Sequence, residues 1–184
     1  MSAVGYFRAQ ARNNAWANHR LLTACSNLSA AEFMAVRMGF FPSIMLTWNH
    51  ILTVDWFYVS CLEGACIGPA AYDPVTPCSD FFDLNREQRA VDARLIVVCD
   101  SMADADLSRR EPQVRKAGTS LERMDATLLH LFQHQVHHRG QIHTMLSETS
   151  VAPPQLDEFF LDMDADVHAE DFAALGLTDA GKWR

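Results

Sequence analysis

Apolar residues recur along most of this chain at the three- and four-residue spacing of α-helices, and no segment alternates convincingly as a β-strand does. The clearest apolar face has steps of 4, 3, 4, 3 and 4, through Leu84, Gln88, Val91, Leu95, Val98 and Met102. Comparable patterns predict long helices over residues 4–26, 42–63, 84–102 and 119–147. Four such helices, separated by longer connections over 64–80 and 103–118, predict an all-α four-helix bundle.

The ends of several helices carry local signals. Ser29 and Glu32 have the spacing of a capping box and predict a short helical turn, and Thr119 and Glu122 repeat that spacing where the fourth helix is expected to begin. Pro42 suits the first turn of the second helix. At 184 residues the chain has the length of one domain.

The chain divides after its last long helix. We predict the bundle over residues 1–161 and an acidic C-terminal extension over 162–184 that packs on the bundle surface. Within the extension, residues 170–175 are a short helical candidate that Gly176 would end.

Composition and charge exclude several classes of protein. The formal net charge of −8 argues against a nucleic-acid partner, which requires a basic face. The longest uncharged stretch, 38–54, contains a proline, an asparagine and a histidine, so it predicts the start of a buried helix and no membrane partner. The cysteines lack metal-site or disulfide spacing and predict free thiols in a cytoplasmic protein; they are Cys25, Cys61, Cys66, Cys78 and Cys99.

Three histidines occupy positions that favour a common metal ion. His134 and His138 are four residues apart, so they stack on one face of the fourth helix, about 6 Å apart along its axis. A pair of this kind occurs by chance in many helices, and a lone histidine such as His50, on an apolar helical face, is usually a satisfied core residue. Together, however, three buried imidazoles would be poorly solvated, and a divalent cation removes that cost.

Two segments that contain these histidines resemble the DinB family, of the DinB/YfiT-like metalloenzyme type. They are "WNHILTVDWFY", residues 48–58, and "LLHLFQHQVHHRGQIHTML", residues 128–146. The family's histidine followed five residues later by aspartate is matched by His50 and Asp55, and its H-x-x-H-H-R-G-Q run by residues 134–141. The resemblance extends over about 7–161, with Gln133 standing where relatives commonly have asparagine.

The resemblance implies a fold, a metal site and an activity. It implies a DinB/YfiT-like bundle, a homodimer, and metal ligands at His50, His134 and His138, the same three that helical geometry selects. The expected metal is zinc or nickel, with iron or copper as alternatives. The expected function is activation of a low-molecular-weight thiol, or of water, for transfer to a small electrophilic substrate. No protein nucleophile is required, and no catalytic residue is assigned.

Three alternatives remain open from the sequence. The site would serve a metal-dependent hydrolase equally well, because spacing does not distinguish activation of water from activation of a thiol. The chain would also suit a non-catalytic metal-binding or stress-response protein. In the third alternative the chain is a purely structural bundle in which the histidines are incidental.

The other motif residues have structural interpretations. We expect Asp55 to contact another helix. Arg139 is expected to form a salt bridge or a cap, with orientation of a ligand as the alternative, and Gln141 flanks the site in a position to orient a ligand. Glycine at position 140 lowers helix stability by about 1 kcal/mol relative to alanine. We expect it to be there because another helix packs closely against it. We expect His137 to be exposed, or to contact a metal ligand, rather than to bind the metal itself.

Overall fold

The protein is mostly helical in this computed structural model, which describes residues 2–178 and 181–183. The long helices are α1 (Ala3–Cys25), α3 (Ile44–Leu62), α4 (Phe81–Ser101) and α5 (Met124–Leu146), and the shorter ones are α2 (Ala30–Met34) and α6 (Ala165–Leu175). Short 3₁₀ turns lie at Gly68–Tyr72, Asp104–Ser108 and Asp162–Asp164. Each long helix ends one residue before its predicted C-terminus, so the periodicity located these helices well.

Side-chain caps determine where several helices begin. Ser43 Oγ accepts a hydrogen bond from the backbone N–H of Leu46 at 3.1 Å and starts α3, so Pro42 precedes the helix instead of lying in its first turn. The predicted capping box is confirmed at the start of α2, where Ser29 and Glu32 bond reciprocally.

The long helices pack in pairs around a shared interior. α3 contacts both α4 and α5, and α1 contacts the same two helices. Trp48, Ile51 and Phe57 of α3 are completely buried, and burial of each such side chain contributes roughly 1.5–3 kcal/mol. The predicted face of α4 is buried along its whole length, which confirms the assignment of that face.

A β-hairpin that the sequence did not predict lies between α4 and α5. β1 (Arg110–Arg115) pairs antiparallel with β2 (Gly118–Arg123), so the expectation that a helix begins at Thr119 was wrong, and α5 begins only after the hairpin. Tertiary contacts explain the difference, because the buried Gln113 donates to Thr127 Oγ1 at 2.9 Å. Strands this short and polar depend on such contacts more than on their own pattern.

The segment after α5 returns to α1. A second apolar cluster joins the ring of Trp16 on α1 to Phe159, at 5.5 Å between ring centroids, and Phe159 in turn contacts Phe172 of α6. The predicted helix over 170–175 is longer than expected at its N-terminal end and stops, as predicted, at Gly176. Of the predicted extension over 162–184, residues 179, 180 and 184 lie outside the described residues.

Among the residues that the structure describes, no helix is both long and apolar enough to cross a membrane. The uncharged stretch 38–54 divides instead between the loop that precedes α3 and the first half of that helix.

Candidate metal centre

Three histidine side chains meet between α3 and α5. His50 lies in the second turn of α3, and His134 and His138 lie one turn apart near the middle of α5. One ring nitrogen from each residue lies within 4.8 Å of the others, and the Nε2 atoms of His50 and His134 are 2.9 Å apart. The structure therefore brings together all three residues that the sequence analysis selected.

The surroundings keep these imidazoles neutral. Burial, together with the neighbouring imidazoles, lowers the pKa of His50 to about 4 and that of His134 to about 3. Burial also lowers the pKa of His138, partly opposed by its hydrogen bond to Gln141. Neutral imidazole is the form that binds a metal ion, so at pH 7 all three rings carry a lone pair.

Gln141 holds His138 in one orientation. Its Oε1 lies 2.8 Å from His138 Nδ1, so this nitrogen carries the proton and donates, which leaves Nε2 with its lone pair free. The side-chain nitrogen of Gln141 lies 3.1 Å from Nε2 of the exposed His137. Gln141 thus acts as the orienting group that metal-binding histidines usually have on their second nitrogen.

The geometry of the cluster fits a divalent ion. Zinc–nitrogen bonds of 2.0–2.1 Å at a tetrahedral angle place two ligand nitrogens about 3.3 Å apart, so the Nε2 atoms of His50 and His134, at 2.9 Å, would separate by about 0.4 Å to hold the ion. Nδ1 of His134 is buried and has no hydrogen-bond partner among the described residues. Three nitrogen donors suit zinc, nickel, copper or iron, and leave further coordination positions for an exchangeable ligand.

An aromatic ring covers one side of the cluster. Phe41, in the loop between α2 and α3, stacks on His50 with 4.3 Å between ring centroids and lies 5.7 Å from His138. Sequence reasoning missed this residue, because its contact depends on how the loop returns toward α3. Its neighbours Val36, Met38 and Phe40 point away and are 81–91% exposed.

A polar cleft opens beside the cluster. The ring of His130 lies 6.5 Å from that of His134 and 5.0 Å from that of Tyr58, whose hydroxyl accepts a hydrogen bond from Arg115 at 3.1 Å. The cleft has a volume of about 270 Å³ and is lined by Tyr58, Gln113, Arg115, Glu122, Ala126, Thr127 and His130. The hairpin therefore supplies charged and polar groups to a cleft that also contains His130, one helical turn before the candidate ligand His134.

A buried polar network lies behind the histidines. Asp55 accepts hydrogen bonds from Gln88 of α4 and from Gln135 of α5, which confirms the expected contact with other helices. Asp92 of α4 accepts from two asparagines of α1, Asn14 and Asn18. Since Gln135 adjoins His134 in the sequence, this network fixes the helix that carries two of the three candidate ligands.

Arg139 belongs to the same network but not in the expected way. Its Nη1 donates to Asn18 Oδ1 at 2.9 Å and to Gln135 Oε1 at 3.2 Å, and also to Asn14. Within the described residues its guanidinium forms no direct salt bridge, so that expectation was wrong. Burial lowers the pKa of Arg139 to about 10, while the charges of Asp92 and Asp55 oppose the change.

The expectation for Gly140 was also wrong. It is exposed, and a Cβ atom built there would meet nothing within 4 Å among the described residues. No close helix packing explains this glycine.

Comparisons with known proteins agree on one family. The model of the DinB family matches residues 1–171. The structure resembles a DinB-like protein from Bacillus cereus, with a TM-score of 0.59 and 17% identity, over 76% of this chain and 90% of that one. It also resembles a DinB-like protein from Bacillus subtilis, with a TM-score of 0.55 and 15% identity, over 80% of this chain and 96% of that one. No curated protein matches the sequence.

Proposed function

The chain belongs to the DinB family, and we propose that it is a metal-dependent enzyme whose ion is bound by His50, His134 and His138. The observation that carries the proposal is the convergence of three neutral imidazole nitrogens within 4.8 Å on two different helices. Zinc or nickel is the proposed ion, because both accept all-nitrogen ligands.

The proposed reaction transfers a low-molecular-weight thiol to a small electrophilic substrate. A divalent ion held by three imidazoles supplies a Lewis acid that lowers the pKa of a thiol ligand. Gln141 keeps Nε2 of His138 directed at the ion, and Phe41 excludes water from one side of His50. The protein therefore needs no nucleophile of its own.

The polar cleft is the proposed substrate site. Arg115 and the Tyr58 hydroxyl supply hydrogen-bond donors at one end, and His130 leads toward the candidate ligand His134. A volume of about 270 Å³ suits a small polar molecule. A substrate held there would contact the guanidinium of Arg115 and the ring of His130, which lies 6.5 Å from that of His134.

The assembly and architecture are part of the proposal. We propose that α1, α3, α4 and α5 form the four-helix bundle of the DinB/YfiT-like type, because α1 and α3 each pack on both α4 and α5. We also propose a cytoplasmic homodimer that binds no nucleic acid. The exposed apolar side chains of Val36, Met38 and Phe40, close together in one loop, support the dimer, since clustered exposed apolar residues mark protein–protein contacts.

The test begins with the metal content of protein purified without an affinity tag. Wild type is compared with a triple variant in which His50, His134 and His138 are alanine, and with His130→Ala as a matched control. We expect near-stoichiometric metal in wild type and the control and none in the triple variant. Absence of metal from wild type, even after reconstitution with zinc and nickel, would contradict the proposal.

Activity separates the thiol reaction from its alternatives. The metal-loaded protein is incubated with an electrophile in the presence and absence of a low-molecular-weight thiol, and the products are identified by mass spectrometry. A product that carries the thiol is expected. A hydrolysis product formed equally well without the thiol identifies a hydrolase, and metal without any turnover favours a non-catalytic metal-binding protein.

A further inference from the structure

The C-terminus of α3 turns the chain back on itself. Gly64 has a φ of 76°, in the left-handed region that glycine adopts without strain. Its N–H donates to the carbonyl of Cys61 at 3.0 Å, and the next N–H, of Ala65, donates to the carbonyl of Ser60 at 2.9 Å. This glycine-ended helix directs the following residues over the last turn of α3.

Ser60 fixes the residues on both sides of Cys66. Its carbonyl accepts from Ala65, and its hydroxyl accepts from the N–H of Ile67 at 3.1 Å. Cys66 is held between these two contacts, directly over Cys61, and the two Sγ atoms lie 2.9 Å apart. The cysteines are five positions apart and lack any familiar redox spacing, so only the turn brings them together.

We propose that Cys61 and Cys66 form a reactive dithiol, which a low-molecular-weight disulfide oxidises to an intramolecular disulfide. The sulfur atoms need to approach by only about 0.9 Å to reach the ~2.05 Å of a disulfide bond. Both are free thiols in this structure, outside the three-histidine cluster. The site thus adds a thiol–disulfide exchange chemistry that does not depend on the metal centre.

The two thiols have different roles because their surroundings differ. Cys66 is half-buried between the exposed Ala65 and Ile67, so a small disulfide can reach it. Burial alone raises the pKa of Cys66, but hydrogen bonds from the Cys61 thiol and from backbone amides bring it below its usual value. Burial raises the pKa of Cys61 to about 12. Cys66 is therefore the attacking thiol and Cys61 the resolving one.

The hairpin adds two contacts that favour the Cys66 thiolate. The N–H of Val114 donates to Cys66 Sγ at 3.5 Å, and the guanidinium of Arg115 contributes a favourable charge. Arg115 is held in place over the ring of Phe57, at 5.0 Å from its centroid. The same strand that lines the polar cleft thus stabilises the attacking thiol.

The exchange balances in two steps. The Cys66 thiolate attacks one sulfur of the external disulfide, forms a mixed disulfide and releases one external thiolate. Cys61 then loses its proton and attacks the Cys66 sulfur, which forms the internal disulfide and releases the second external thiolate. Two protein thiols are oxidised, one external disulfide is reduced to two thiols, and the protein's two protons pass to those products.

The remaining cysteines provide the contrast. Cys25, Cys78 and Cys99 are buried, and in the described part of the chain none of them contacts another cysteine sulfur. Burial raises the pKa of each of these thiols. They are expected to remain reduced when the pair is oxidised.

The test equilibrates the full chain with mixtures of oxidised and reduced glutathione, followed by acid quenching and alkylation of free thiols under denaturing conditions. We expect five alkylated thiols in the reduced protein and three in the oxidised protein. Glu63 lies between the two cysteines, so cleavage after this residue yields two peptides that stay joined only through the disulfide. Cys78→Ser is the matched control and is expected to form the same disulfide.

Two further variants identify the order of attack. Cys61→Ala is expected to stop at a mixed disulfide on Cys66, with the mass of one added glutathione, and Cys66→Ser is expected to form neither product. Oxidation spread evenly over the five cysteines would overturn the proposal. So would a Cys61→Ala protein, folded by circular dichroism, that traps no glutathione at Cys66.

Discussion

The side-chain amide of Gln135 on α5 donates to the carboxylate of Asp55 on α3. This hydrogen bond links the helix that carries His134 to the helix that carries His50, and it is completely buried. Gln135 also accepts from Arg139, so the contact continues into the polar network behind the histidines. The position of the candidate metal site is thus determined by polar groups in the core as well as by apolar packing.

The buried carboxyl group of Asp55 should make the stability of the protein depend on pH. Its pKa is raised to about 8, mainly by burial and also by the nearby charge of Asp92, although the hydrogen bonds from Gln88 and Gln135 oppose the change. Between the unfolded pKa of about 3.9 and the folded value, the folded protein holds a proton that the unfolded chain has lost. This contribution to stability is therefore complete below about pH 4 and is lost as the pH rises through about 8.

Asp55→Asn isolates this effect, because the asparagine oxygen can accept both hydrogen bonds and does not ionise. We expect the variant to match wild type near pH 4, to become progressively more stable than wild type up to about pH 8, and to keep that difference above it, in urea denaturation at a series of pH values. Asp157→Asn, at an exposed position, is the control and should follow wild type throughout. A constant difference between Asp55→Asn and wild type at every pH would refute the prediction.

Removal of the buried Arg139 guanidinium should lower the stability of the protein strongly. It is the cation that offsets the buried Asp55 and Asp92, and it satisfies amide oxygens on two helices. We expect Arg139→Met to lower the free energy of unfolding by several kcal/mol, because it leaves the buried amide oxygens of Asn14, Asn18 and Gln135 without this donor, at about 1–3 kcal/mol for each unsatisfied group. Urea denaturation measures the change.

Two comparisons test the cause of that loss. Adding Asp92→Asn to Arg139→Met removes a buried carboxylate and should recover part of the stability, so the two changes are not additive. Arg86→Met removes an exposed arginine that pairs with Asp83 and Glu87, and should cost much less stability than Arg139→Met. Equal losses for the two arginine variants would show that burial of the charge is not the cause.

The helices were predictable because their signals are local. The steps of the α4 face and the Ser29 cap depend on residues within one or two turns, and the structure confirms both. The hairpin depends on contacts between distant residues, such as Gln113 with Thr127, and its polar strands carry no pattern of their own. Because the sequence pattern does not show these contacts, Thr119 was assigned to a helix.

The candidate site divides in the same way. His134 and His138 were selected by their spacing within one helix, and His50 by its place on an apolar face and by the family motif. Phe41 and Cys66 were missed, because loops bring them to their partners and spacing along the chain does not show it. Sequence therefore predicts the residues on regular helices better than those in the connections around them.

Gln141 is expected to influence metal affinity through His138, although its own side chain is not a proposed metal ligand. Its Oε1 accepts from His138 Nδ1 and fixes which ring nitrogen is free for the ion. We expect Gln141→Leu to weaken zinc binding by about 10- to 100-fold, the range typical for groups that orient a histidine ligand. Competition with a chromophoric chelator measures the affinity. Gln133→Ala, an exposed position on the same helix, should leave it unchanged, and an unchanged affinity in Gln141→Leu would remove the orienting role.

Substitution of Gly140 by alanine should raise the stability of the protein. It lies within α5, where glycine costs about 1 kcal/mol relative to alanine, and a Cβ atom there has open space around it. We expect Gly140→Ala to raise the free energy of unfolding by about 0.5–1 kcal/mol, because the alanine restricts the unfolded chain and introduces no clash. Gly64→Ala is the contrasting control. Gly64 has a φ of 76°, which strains a residue with a side chain, so this substitution should lower stability. If Gly140→Ala lowered stability or metal content instead, then some group beyond the described residues would have to occupy that surface.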